Sequence, residues 1–242
     1  MNLWRIHETC AWQRFGGNPR KLRAYTFLDL IVGVATLFVL VGVVLPMMAR
    51  GRCGCRPVSQ RIACYNNLKQ VGISFRTWAL DNNDKYPAQV SVTNGGAGLP
   101  DGTSSAALIF QVMSNELSTP LLLACPGDRD PILRTNRTFS LGVGSTNLSY
   151  FAALDADAEK PELFLSGDNH MTIGGKPVGR GPSIVPVSTN QVLGWRTGLR
   201  RHQDQGNVGL ADGSVQQFTG PKLTLQLRSS LTQTPTQRLA FP

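Results

Sequence analysis

The chain carries no charged side chain over the 20 residues from Leu30 to Ala49. At about 1.5 Å per residue, a helix of this length spans roughly 30 Å, the thickness of a bilayer core. The run is apolar on every side, unlike a surface helix. A cleavable secretory signal ends in small residues, whereas Ala49 follows Met47 and Met48. The pattern therefore predicts a membrane-spanning helix over residues 25–49.

A second helical pattern follows this segment. Apolar side chains between residues 58 and 80 step by four, three, four and three, which keeps them on one helix face: Cys64, Leu68, Val71, Phe75 and Trp78. The polar cluster at 81–84 and Pro87 end the pattern. We predict a helix over 58–80 whose apolar face lies in the core.

The clearest strand signal lies near the C-terminus. Two strand-like runs at 207–211 and 214–218 flank Asp212-Gly213. An Asp-Gly pair between such runs predicts a hairpin with a two-residue type I′ turn. This turn accounts for the Asp-Gly pair without any chemical role.

The remaining segments give weaker signals. Residues 106–124 predict a short helix followed by a short strand, and 163–165 and 191–193 are candidate strands. Residues 223–242 are polar and rich in Thr and Gln, so they are expected to form a loosely held tail.

The net charge of +9 is unevenly placed, with +4 in residues 1–24 and +5 in the rest. A basic chain can bind nucleic acid. However, no basic stripe interleaved with aromatic residues follows the apolar run, so we expect no nucleic-acid partner. Basic residues on both sides of the apolar run explain the charge. For the same reason, the positive-inside rule gives almost no information on the orientation of this segment in a membrane.

The start of the apolar run resembles the processing site of type IV prepilins and type II secretion pseudopilins. That site has a basic leader, a small residue, an aromatic residue and a glutamate that opens a long apolar helix. Here the stretch 21–30 reads KLRAYTFLDL. By this resemblance residues 1–24 are a basic leader, Ala24 is its last residue and Tyr25 is the first mature residue. Asp29 takes the place of the glutamate.

Further landmarks are similar to a subgroup of this family with a C-terminal H-x9-DG signature. They occur in the order of the subgroup, at 64–72 (CYNNLKQVG), 81–87 (DNNDKYP), 125–128 (CPGD) and from His202 to Asp212-Gly213. Each block alone is a weak signal, but five landmarks in the right order are strong.

The resemblance implies an α+β, pilin-like fold. A long N-terminal helix, with a membrane-spanning half and an amphipathic half, would pack on a small antiparallel sheet. Residues 50–222 would form the globular head. The implied protein is a single-pass inner-membrane protein with a cytoplasmic N-terminus and a periplasmic head.

The resemblance also implies partners. These are the membrane, prepilin peptidase, an inner-membrane assembly platform and other pilin or pseudopilin subunits. In a packed helical bundle, Asp29 would pair with the amine of a neighbouring Tyr25, which exists only after cleavage. That pair would set the axial register between subunits.

Four of the five cysteines follow the apolar run: Cys53, Cys55, Cys64 and Cys125. Their spacing does not match a zinc finger. In an oxidising compartment, four cysteines allow three disulfide pairings. We favour a Cys64–Cys125 disulfide, which would tie the long helix to the start of the sheet region.

The histidine and aspartate residues are candidates for a metal site or a catalytic site. The chain has only three histidines, at positions 7, 170 and 202, and it lacks a G-x-S-x-G nucleophile elbow. We therefore predict that the protein is not an enzyme. Calcium is the one cofactor considered, through loop carboxylates of Asp168, Asp204 and Asp212, although no EF-hand spacing is present.

The sequence thus predicts a filament subunit that prepilin peptidase trims and that assembles into a type IV pilus or a type II secretion pseudopilus. The alternative is an unprocessed single-pass, membrane-anchored periplasmic domain that binds a ligand or partner. Asp29 and the junction at Tyr25 distinguish the two, because a simple anchor needs neither.

Overall fold

The computed structural model describes residues 27–50, 56–130, 132–179, 181–197, 202, 204–232 and 234–242. The leader 1–24, the processing residues Ala24 and Tyr25, and Cys53 and Cys55 lie outside the described residues. The chain divides into two compact units, Met1–Gly51 and Arg52–Pro242, which are described separately.

The described part of the first unit is helix α1, Phe27–Arg50, with Asp29 in its first turn. Its described side chains run from Phe27 to Val43, a stretch that spans about 25 Å against the roughly 30 Å of a bilayer core. Within the described part of the chain, no helix has both the length and the apolar character needed to cross a membrane. This contradicts the predicted membrane-spanning helix and the predicted single-pass location in the inner membrane.

The second unit has α+β architecture with antiparallel sheets, as predicted, but the predicted single long N-terminal helix is wrong. Its first helix is a separate element, α2. The helices are α2 Arg56–Leu80, α3 Ala106–Val112, α4 Ser114–Leu117 and α5 Gly220–Ser230. Single 3₁₀ turns lie at Pro87–Gln89, Val92–Asn94, Pro120–Leu123, Phe139–Leu141 and Ser145–Asn147.

Nine strands form two sheets in the described residues. The strands are β1 Tyr150–Ala153, β2 Phe164–Asp168, β3 Met171–Ile173, β4 Lys176–Pro177, β5 Ser183–Ser188, β6 Leu193–Trp195, β7 Gln205–Leu210, β8 Val215–Thr219 and β9 Thr236–Phe241. The larger sheet has the order β5-β9-β1-β2-β7-β8, and the smaller has the order β4-β3-β6. All strand pairs in both sheets are antiparallel.

Helix α2 confirms the prediction for residues 58–80. The five apolar side chains on its predicted face are all buried, from 0% exposed at Cys64 and Val71 to 6% at Trp78. This face contacts β2, β7 and β8. The ring of Phe75 packs edge-on against Tyr86 and Phe110, so the helix anchors the main core cluster.

Residues 223–242, expected to form a polar tail, instead contribute α5 and β9. Strand β9 lies between β5 and β1 and pairs with both. On α5, Leu223 and Leu227 are four residues apart and both are 0% exposed. Polar residues dominate the composition of this segment, but its few apolar residues fall at helical and strand positions.

The predicted hairpin is present, because β7 and β8 pair antiparallel. Its turn differs from the predicted type I′, which needs a positive φ at both central residues. Gly213 has φ 86°, but Asp212 is not among the described residues with positive φ. Hydrogen bonds from the Leu210 amide to the Ser214 carbonyl and from the Gly213 amide to the Leu210 carbonyl enclose a longer loop that includes Ala211.

Residues of two other landmark blocks contact this loop, which contains the Asp-Gly pair of the H-x9-DG signature. A Cβ at Gly72 on α2 would lie 3.4 Å from the Gly213 carbonyl oxygen, so the helix packs directly on the loop. The Tyr86 hydroxyl donates a hydrogen bond of 2.6 Å to the Ala211 carbonyl. The CYNNLKQVG, DNNDKYP and DG blocks are therefore joined in one packed region.

We expect Tyr86→Phe to lower the free energy of unfolding by about 1–2 kcal/mol, because the Ala211 carbonyl loses its buried partner. Tyr65→Phe is the matched control, since Tyr65 is only partly buried and lies outside this contact. Urea unfolding of the full chain measures both. Equal effects of the two substitutions would contradict the assigned role of the Tyr86 hydroxyl.

Candidate metal centre

Four metal-binding side chains from distant parts of the second unit converge on one point. Cys64 comes from α2, Cys125 follows the 3₁₀ turn at Pro120–Leu123, Asp168 ends β2, and His202 precedes β7. One ligand atom from each lies within 4.8 Å of those of the other three. This is the one such group of His, Cys, Asp and Glu residues found in the described part of the chain.

The contacts within the group are short. Cys125 Sγ lies 3.2 Å from His202 Nε2, and Cys64 Sγ lies 3.4 Å from Asp168 Oδ1. His202 Nε2 is 3.7 Å from Asp168 Oδ2. The histidine and aspartate side chains are 1% and 0% exposed, so these groups interact in a region of low dielectric constant.

Asp168 is oriented by the neighbouring strand. The backbone amide of Asn207 on β7 donates to Asp168 Oδ2 at 2.8 Å, and the Asn207 side-chain amide is 3.4 Å from the same oxygen. The antiparallel pairing of β2 with β7 creates this contact. The sheet register therefore fixes one carboxylate oxygen, while Oδ1 lies against Cys64.

Tyr150 on β1 completes the surroundings of Cys64. Its hydroxyl is 3.1 Å from Cys64 Sγ, and the residue is 0% exposed. Burial raises the pKa of the Cys64 thiol well above its ordinary value, and the hydrogen bond with Cys125 and the charge of Asp168 raise it further. Burial likewise raises the pKa of Tyr150, followed by the effect of Cys64. Negative charge on the neighbouring groups thus makes ionisation of Cys64 and of Tyr150 less favourable.

The backbone at His202 is constrained. His202 has φ 54°, in the left-handed region that residues other than glycine adopt at a cost of about 1–3 kcal/mol. A Cβ at Gly127, in the CPGD block, would lie 3.2 Å from His202 Cε1. The close approach of Gly127 limits the space around the imidazole, whose Nε2 lies 3.2 Å from Cys125 Sγ.

This geometry differs from that of a catalytic Cys-His-Asp relay. In such a relay the cysteine and the carboxylate contact opposite nitrogens of the imidazole. Here Cys125 and Asp168 both approach Nε2 of His202. Convergence of several donors on one point is typical of a metal centre. Cys125 is also only 2% exposed, which leaves little access for a substrate.

The structure places the predicted site residues unequally. Asp168 belongs to the centre, whereas Asp204 and Asp212 are exposed and are not grouped with it. Asp212 accepts a hydrogen bond from the Ser214 amide at 2.7 Å, a role within the hairpin loop. The predicted calcium set is therefore not brought together in the described residues.

Cys64 and Cys125 are both buried as thiols, with their sulfur atoms within 4.8 Å of each other. The disulfide between them remains a prediction. Sequence reasoning named all four residues of the centre, but it assigned Cys64 and Cys125 to a disulfide and Asp168 to a calcium site, and it gave His202 no role beyond the H-x9-DG signature. The signal that could have joined them is that Cys64, Cys125 and His202 each belong to a landmark block.

The chain matches no protein-family model, no curated protein and no solved structure. The resemblance to prepilins therefore rests on the residues quoted above.

Proposed function

We propose that this chain is a pilin-like or pseudopilin subunit that prepilin peptidase trims and that assembles into a type IV pilus or type II secretion pseudopilus. The observation that carries the proposal is the surface of α1. Large apolar side chains are exposed on all sides of the helix, from 47% at Val34 and Val41 to 77% at Phe27. An apolar surface of this extent requires a partner.

Equivalent helices of other subunits would provide this partner. A Cβ added at Gly33 or at Gly42 on α1 would have no heavy atom within 4 Å. These two small residues therefore leave room for another helix to approach closely. A bundle of such helices would bury their apolar sides in a filament core. Residues Arg52–Pro242 form a separate compact unit.

Asp29 favours an assembly in which neighbouring subunits have one defined axial register. It lies in the first turn of α1, where a carboxylate is also stabilised by the helix dipole. In a tightly packed bundle, an unpaired carboxylate is costly, so the need for a cation from a neighbour opposes registers in which none is near. The amine of a trimmed Tyr25 would supply that cation.

The proposed subunit is not an enzyme. The donors at the candidate centre converge on one point, and its buried groups offer no accessible nucleophile. The partners of the subunit are the peptidase, an assembly platform and other pilin-like chains.

Co-production of the full chain with a prepilin peptidase tests the proposal. We expect the product to begin at Tyr25 with a methylated amine, as read by mass spectrometry and N-terminal sequencing. A catalytically inactive peptidase is the control and should leave Met1 in place. A chain that still begins at Met1 beside the active peptidase would contradict the proposal.

Asp29→Asn isolates the assembly step. Because trimming precedes assembly, we expect this variant to be cleaved normally but to give at least about tenfold less cross-linked oligomer, as loss of a buried charge pair costs several kcal/mol. Asp29→Glu should retain assembly. Equal cross-linking of the Asn variant and the native chain would remove Asp29 from this role.

A further inference from the structure

We propose that Cys64, Cys125, Asp168 and His202 bind one zinc ion in a closed, tetrahedral structural site. The site lies wholly within the second unit, so it is independent of the filament proposal. All four donors come from the protein, which is characteristic of structural zinc rather than catalytic zinc, where one position stays open.

Two of the distances between donor atoms are close to those of a tetrahedral zinc site. Ligands at the usual zinc distances of roughly 2.0–2.3 Å are separated from one another by about 3.3–3.8 Å. Cys125 Sγ lies 3.2 Å from His202 Nε2 and Cys64 Sγ lies 3.4 Å from Asp168 Oδ1, while the four ligand atoms all lie within 4.8 Å of one another. The widest separations would have to close by up to about 1 Å when the ion binds.

The surrounding groups suit a metal centre. The Asn207 amide fixes the carboxylate through Oδ2, and the Tyr150 hydroxyl is placed to donate to a Cys64 thiolate. Such outer hydrogen bonds orient ligands and tune their affinity.

The types of donor atom determine which metal ion the site prefers. Two sulfur atoms and an imidazole disfavour calcium and magnesium, which prefer oxygen ligands, and a tetrahedral arrangement of these donors favours zinc. Bound zinc would join four chain segments that meet only through tertiary contacts. It would fix α2 and the CPGD block against the end of the sheet where β2 ends and β7 begins.

The native full chain provides the first experiment. We expect one zinc per chain by elemental analysis after purification with zinc present. Cobalt(II) should replace it with the intense absorption of a tetrahedral site and with thiolate-to-cobalt charge transfer. Removing zinc with a chelator should lower the Tm, and added zinc should restore it. Absence of bound metal, or a Cys64–Cys125 disulfide in the metal-treated protein, would overturn the proposal.

Amino-acid substitutions test which side chains bind the zinc ion. Asp168→Asn and Cys125→Ser should each lower zinc affinity by at least about tenfold, since even outer-shell changes have effects of this size. Asp212→Asn, at an exposed position, is the matched control and should bind as the native chain does. His202→Cys keeps four donors and should retain zinc with stronger charge transfer to cobalt. Native affinity in Asp168→Asn would exclude Asp168 as a ligand.

Discussion

Replacing Leu239 with alanine is expected to lower the free energy of unfolding of the full chain by about 2–5 kcal/mol. Leu239 lies on β9, is 0% exposed and pairs in register with Ala153 on one side and Val185 on the other. Truncation would leave a cavity on the buried face of the sheet, beside the two strands that have β9 as their common neighbour. The effect would be large because this strand is inside the sheet.

Leu225→Ala is the matched control for this prediction. Leu225 lies on α5, in the same C-terminal segment, but its side chain is 63% exposed. The same substitution there should change stability by no more than about 0.5 kcal/mol. Guanidinium unfolding followed by the fluorescence of the buried Trp78 and Trp195 measures both. A loosely held tail would make the two effects equally small.

The position of Gln237 also shows why β9 is integral to the fold. Its buried side chain donates to the Phe164 carbonyl at 2.7 Å, and its Oε1 accepts from the Phe164 amide at 3.3 Å. The register between β1 and β2 ends at Ala152 and Ser166, before it reaches Phe164. One polar side chain therefore replaces strand–strand hydrogen bonds, and buried backbone groups remain satisfied.

Local periodicity predicted the elements that have one buried face. Helix α2 was predictable because Leu68, Val71 and Phe75 recur at helical spacing, and the hairpin was predictable from Asp212-Gly213. The type of turn was not, because the loop gains Ala211 through hydrogen bonds that no dipeptide pattern specifies. Strand β9 was missed because a three-residue apolar end, Leu239 to Phe241, is too short to separate strand from coil.

The candidate centre was predictable in parts. Cys64 and Cys125 were expected to form a disulfide, and Asp168 was named as a calcium ligand together with Asp204 and Asp212, which the structure does not group with it. Zinc sites are usually recognised by short ligand spacings, and here each ligand comes from a different element. Only the pairing of β2 with β7 and the packing of α2 bring the four together, and both are properties of tertiary structure.

Gly206→Ala is expected to lower the free energy of unfolding by about 3 kcal/mol through overpacking. A Cβ at Gly206 on β7 would lie within 2.6 Å of three ring atoms of Trp195. The indole cannot move aside easily, because its Nε1 donates to the Phe218 carbonyl at 2.8 Å and its ring lies 4.9 Å from that of His170.

Gly209→Ala provides the comparison within the same strand. Its nearest contact would be the Ser166 carbonyl oxygen at 3.4 Å, an ordinary van der Waals distance, so the expected change is within about 0.5 kcal/mol. Thermal unfolding of both variants measures the difference. If Gly206→Ala is as stable as Gly209→Ala, Trp195 is not held against β7. The smaller sheet, to which Trp195 belongs, would then not be fixed to the larger sheet at this point.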